Sequence, residues 1–189
     1  ESKYGDIWCP TYDGQACLFD VESEKFIDVL QPIELSTKQT NYVTRIYSLE
    51  KGIAWILCEN GYAFRVDEQL CKKGEGITLY APSNHNLKGD QIFNVYQDSE
   101  EDEWILTDKG VSIIGKKTLD TDFPFQFITQ IKESIYLIAE NDKLARYDFH
   151  TKKLKFVDIP YPHHTINNVT TIGKDMLALG TDNGVILYS

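Results

Sequence analysis

Side chains able to recognise a ligand collect in two stretches of the chain. His163-His164 follows Pro160-Tyr161-Pro162, and His85-Asn86 lies within Ala81–Asp90. A tyrosine face packs on a sugar ring, and imidazole and amide groups hydrogen-bond its hydroxyls. Tyr161, His163, His164, His85 and Asn86 are therefore the candidate ligand contacts, with a solvated polar loop as the plainer reading of each stretch. Adjacent histidines on extended backbone point to opposite sides, so His163 and His164 do not chelate one ion. No H-x-x-x-H or C-x-x-C spacing occurs, and the sequence implies neither metal nor cofactor. Spacing among the four histidines picks out no nucleophile–base pair, so no catalytic residue is predicted.

Other reactive residue types carry less. Cys9, Cys17, Cys58 and Cys71 follow no metal pattern and suit buried free thiols. A three-residue loop Tyr12-Asp13-Gly14 places Cys9 opposite Cys17, whereas a two-residue Asp13-Gly14 turn pairs Cys9 with Leu18. The first register leaves a disulfide open in an oxidising compartment. The acidic run Asp98–Glu103 lacks the glycine turn and alternating ligands of a calcium loop and reads as a solvated turn. Asn168-Val169-Thr170 matches a glycosylation sequon but falls on an expected inner strand.

The elements that must carry these loops are strands. Aromatic residues make up 12% of the 189 residues, with one Met and few Ala, a composition that favours pleated, half-buried surfaces over helices. Short alternating runs such as TRIYSL, GYAFRVD, SIYLIAE and VILYS dominate, and no stretch of helical apolar spacing stands out. The net charge of −10 argues against nucleic acid, because an acidic surface repels phosphate. No apolar run approaches the roughly 18 residues of a membrane helix, so no direct membrane contact is expected. The opening ESKYGD is not a signal peptide, which suits a cytoplasmic chain or one that begins partway through a longer protein.

The three tryptophans reveal a repeat. Trp8, Trp55 and Trp104 are each followed six residues later by glycine, at Gly14, Gly61 and Gly110. Tyr136 and Ala178 hold the same place in two degenerate copies, with Asp142 and Gly184 at the glycine position. Spacings of 47, 49, 32 and 42 residues average 42.5. Nine residues before the later markers stand Ile46, Val95, Phe127 and Val169, which outline an inner strand ahead of each hairpin. Outer-strand candidates are residues 25–29, 76–80 and 154–159, with the third unit's outer strand abbreviated around Thr118–Asp122. Four antiparallel strands per period of roughly 40–45 residues describe a β-propeller blade. The expected fold is all-β, a single partial propeller over 1–189 with units near 1–35, 36–85, 86–123, 124–160 and 161–189. The first and last units are incomplete, so the sequence predicts an excerpt of a larger propeller, with its remaining blades or a second copy as partners. The repeat register assigns the tryptophans to packing between blades.

The pattern W-I-x-T-x-x-G-x-x-x-x-D, preceded by V-x-x-I-x-x-D, resembles the two-component regulator propeller repeat. Its best copies here are Trp104-Ile105-Leu106-Thr107-Asp108-Lys109-Gly110 and the run from Leu179 to Tyr188. Residue 10 is Pro, residues 57 and 106 are Leu, residue 138 is Ile, and Cys58 and Ala139 stand where Thr is usual. The resemblance implies the periplasmic sensor region of a hybrid two-component system of the Bacteroidetes. There, two seven-bladed propellers and an immunoglobulin-like domain precede a membrane helix, a histidine kinase and a DNA-binding regulator. It also implies oligosaccharides from polysaccharide breakdown as ligands, sensed without chemistry by this segment. A protein-interaction scaffold and a propeller lyase or hydrolase are the alternative functions.

Overall fold

A computed structural model describes residues 1–11, 14–30, 42–59, 61–81, 87–116, 119, 121, 123–159 and 165–189. Seventeen strands form antiparallel sheets of three or four strands, five in all among the described residues, and the only helical element there is one turn of 3-10 helix. The chain divides into two compact units, Glu1–Asn86 with Asp90–Gln97, and Leu87–Gly89 with Asp98–Ser189.

The first unit contains β1 (Ile7–Pro10), β2 (Ala16–Asp20) and β3 (Lys25–Leu30), paired in that order. Next come β4 (Val43–Leu49), β5 (Ile53–Cys58), β6 (Ala63–Asp67) and β7 (Ile77–Tyr80), again in chain order, and β8 (Ile92–Gln97). A 3-10 turn, Cys71–Lys73, interrupts the β6–β7 connection. The expected outer strands at 25–29 and 76–80 are β3 and β7. Every residue of β5 is buried, as a central strand covered on both faces requires. In the first hairpin Cys9 is the partner of Cys17 across β1 and β2, the first of the two registers expected, while Tyr12 and Asp13 of the turn lie outside the described residues.

The second unit contains β9 (Glu103–Thr107) and β10 (Gly110–Ile113) as a hairpin. A four-stranded sheet follows, β11 (Phe125–Ile131), β12 (Ser134–Ala139), β13 (Leu144–Asp148) and β14 (Lys153–Val157). The last sheet is β15 (Ile166–Ile172), β16 (Met176–Thr181) and β17 (Gly184–Tyr188). Outside β10, the described part of the third repeat's outer segment makes one bridge, Leu119 to Val111, in line with an abbreviated strand. Ile138, Leu144 and partly buried Tyr136 of one sheet pack with Val169, Leu177 and Leu179 of the next.

Two repeat glycines are dictated by backbone. Gly61 has φ +82° in the β5–β6 hairpin, a conformation that costs an L side chain energy. Gly110 has φ +136°, and a Cβ there would lie 2.6 Å from Thr121 Oγ1 and 2.9 Å from Lys88 Cδ.

Trp55 has no exposed surface, and its ring lies 4.9 Å from that of Tyr80, tilted by 44°. Removing it leaves a large cavity in a close-packed core. Trp55→Ala is expected to destabilise the protein by about 3–5 kcal/mol, read as a drop in the thermal or urea midpoint; an unchanged midpoint contradicts interior packing.

Candidate functional site

The five loop residues expected to touch ligand, His85, Asn86, Tyr161, His163 and His164, lie outside the described residues. What the structure does describe is the surroundings of the tryptophans. Each unit has a buried indole whose N–H donates to a carboxylate.

In the first unit Trp8 Nε1 donates to Glu68 Oε1 at 3.0 Å. The same carboxylate accepts the Ser48 hydroxyl at 2.6 Å and the Lys3 backbone N–H at 3.1 Å, and Glu68 is wholly buried. Three separate segments thus converge on one buried anion, which takes three donors in place of water. Beside it the 3-10 turn inserts Cys71 into the core, while Lys72 Nζ reaches Asp6 at 2.8 Å and Asp20 at 3.5 Å. The hydrogen bond that Lys72 donates to Asp6 raises the Lys72 pKa. Burial, with Glu68 and Asp67 nearby, pushes the Cys71 thiol up to about 11.

In the second unit Trp104 Nε1 donates to Asp98 Oδ2 at 2.7 Å. Asp98 Oδ1 accepts the backbone N–H groups of Glu100 and Asp102, both at 2.9 Å, and so closes the turn that leads into β9. Ser2 builds the corresponding turn before Trp8, its hydroxyl accepting from the N–H groups of Tyr4 and Asp6. Gln130 joins neighbouring turns, its amide oxygen accepting from Ser99 N–H at 2.8 Å and its amide N–H donating to Lys132 O at 2.6 Å.

Two clefts open in the second unit. One, about 550 Å³, has Tyr136, Arg146 and Asp148 on its wall, with an exposed Lys132–Asp175 ion pair of 2.5 Å beside it. Arg146 Nε donates to Ser134 Oγ at 2.9 Å, and hydrogen bonds from Thr151 hold the Asp148 carboxyl below its usual pKa. The other, about 500 Å³, is floored by Trp104, Ile113, Leu119, Tyr147 and Phe149, with Glu100, Asp102, Lys116 and Lys152 around its mouth. Lys116 pairs with Asp102, which raises the lysine's pKa, and lies 3.7 Å from Glu100. Burial raises the pKa of Tyr147. Both clefts offer aromatic surface and mixed hydrogen-bonding groups, the equipment of binding.

The four cysteines are free thiols, including Cys9 and Cys17 on neighbouring strands. Native protein is expected to take iodoacetamide at half-buried Cys9 well before buried Cys71, with all four thiols alkylated after unfolding, as mass spectrometry would read. Because the folded thiol of Cys71 titrates near 11 against an unfolded value of 9.0, its share of stability is complete below pH 9 and is lost as pH rises toward 11. Cys71→Ala should flatten that part of the stability profile. Glu68→Ala strands the buried Trp8 N–H and removes the acceptor of two part-buried donors, Lys3 N–H and the Ser48 hydroxyl, and is expected to cost about 3 kcal/mol, with Glu68→Gln costing less; equal midpoints for wild type and Glu68→Ala would contradict this role.

No protein-family model and no curated protein matches the sequence. Solved structures do match. The extracellular domain of BT4673 from B. thetaiotaomicron aligns at a TM-score of 0.67 and 16% identity, over 97% of this chain and 25% of that one. A second structure of that extracellular domain, described as belonging to a hybrid two-component system, aligns at 0.51 and 18% identity, over 99% and 32%. The β-propeller domain of Cps50 (Swd1) from Myceliophteria thermophila aligns at 0.66 and 10% identity, over 97% and 66%. The chain therefore spans between a quarter and a third of the Bacteroides domain it resembles. At these identities the likeness is one of fold, and the fold is that of a β-propeller.

Proposed function

We propose that the chain is a ligand-sensing segment of the periplasmic β-propeller of a hybrid two-component sensor histidine kinase, responding to oligosaccharides released from polysaccharides. The observation that carries this reading is the fold likeness, over nearly all of the chain, to the extracellular domain of BT4673. The tryptophan–glycine repeat supports it, and so do clefts that combine aromatic surface with balanced polar groups. Among the described residues no helix is long and apolar enough to cross a membrane. The segment works by binding: a ligand that favours one of two states shifts their populations, and the shift reaches the kinase.

A scaffold role is the second reading, favoured by apolar residues on outward strands. Phe26 of β3, Leu79 of β7 and Phe156 of β14 are exposed, as are Val185 and Leu187 on one face of β17. Further blades of a parent propeller, or a second copy of the chain, are partners suited to that face of β17.

Calorimetry of the complete ectodomain against a panel of oligosaccharides tests the sensor reading. Saturable heat with a subset of the panel is expected, weakened at least tenfold by Tyr161→Ala or by the double change His163→Ala and His164→Ala. That loss corresponds to about 1.4 kcal/mol. No heat with any saccharide overturns the reading, and a protein partner captured at the exposed strands in its place favours the scaffold.

A further inference from the structure

The two units treat equivalent places in the repeat differently. Measured from Trp8 and Trp104, Ser2 corresponds to Asp98, Asp6 to Asp102 and Asp20 to Lys116. In the first unit the space against Trp8 is filled by the protein itself. The β6–β7 connection runs through nine residues, 68–76, and delivers the Glu68 carboxylate, buried Cys71 and the Lys72 ammonium. In the second unit the matching β13–β14 connection has four residues, 149–152, and no helical turn. Phe149 stands where Glu68 stands relative to its strand, and the space against Trp104 is the 500 Å³ cleft.

We infer that this cleft is a binding subsite for a neutral pyranose ring. The inference rests on the oligosaccharide reading above and gives it a location and a charge class. Trp104 and Tyr147 pack edge to face at 5.2 Å, and Phe149 meets Tyr147 at 6.0 Å, which makes a rigid aromatic floor. Trp104 and Tyr147 are buried, while Phe149 is half-buried and presents the accessible ring against which sugar C–H groups pack. The indole N–H is already held by Asp98, so the floor offers apolar surface and leaves hydroxyl recognition to the mouth. There Glu100 and Asp102 face Lys116 and Lys152, two carboxylates against two ammonium groups. The four charges at the mouth cancel, so neither an acidic nor a basic sugar gains an unopposed ion pair there, whereas hydroxyls find charged acceptors and donors side by side. The volume is within the range of small-molecule pockets.

The test titrates the complete ectodomain with maltose, cellobiose and methyl β-glucoside, and with galacturonate and glucosamine as charged probes, reading calorimetric heat and tryptophan emission. At least one neutral sugar is expected to bind tenfold or more tightly than either charged one and to change tryptophan emission. Phe149→Ala and Lys152→Glu should each weaken it tenfold or more with the thermal midpoint preserved, while Lys25→Glu, at an exposed position of β3, leaves it unaltered. Neutral-sugar binding that survives both cleft variants overturns the subsite and leaves the oligosaccharide reading intact. Preference for a charged sugar overturns the neutral assignment, and binding of no saccharide overturns subsite and oligosaccharide reading together.

Discussion

A tryptophan buried between sheets brings an N–H that must have an acceptor, since a buried donor without one costs roughly 1–3 kcal/mol. Much of the local architecture follows from how each unit answers that demand. Where the turn before the strand is closed by Ser2, its hydroxyl is occupied by the turn, and the acceptor comes from the next sheet as Glu68. Where it is closed by Asp98, the second carboxylate oxygen serves the indole, and no neighbour has to supply one. The first solution ties Lys3, Trp8 and Ser48 to a single anion; the second is complete within six residues of chain.

That difference has consequences at the surface. A glutamate that must reach a neighbour's indole sits in a long connection with its own 3-10 turn, and Lys72 of that turn pairs with Asp6 and Asp20. Once Asp98 satisfies the indole locally, the corresponding connection is free to be short and to carry Phe149. Lys116, in the place of Asp20, then supplies the cation from its own sheet. The outcome is a plugged groove in one unit and an open one in the other, made by the same repeat. Repeat proteins gain binding sites in this way, because packing between sheets conserves the strands and leaves their connections to vary.

The strands were legible because their residues alternate, and the period because three tryptophans share one register with a glycine six residues on. The outer strands β3, β7 and β14 fall where short apolar runs follow each hairpin. The candidate site was much less legible. Tyr161 and the histidines attract attention by residue type, yet they lie outside the described residues. Phe149 and Lys152 look like ordinary turn residues until the turn is seen beside Trp104. One signal was present in the sequence: Lys116 breaks the acidic closing position held by Asp20, Asp67 and Asp148, which marks this unit as the one with a different charge arrangement.

The sequence by itself determined the all-β fold, the blade-like repeat, the interior role of the tryptophans and a net charge of −10, because these depend on periodicity and composition. Tertiary structure decided which carboxylate each indole meets, which register the first hairpin adopts and which groove stays open. Glu68 lies 60 residues from Trp8, and no local pattern records that partnership. The choice between pairing Cys9 with Cys17 and pairing it with Leu18 was open until the two strands were seen together. A cleft is a property of what fails to cover a surface, and that is settled only when neighbouring sheets come together.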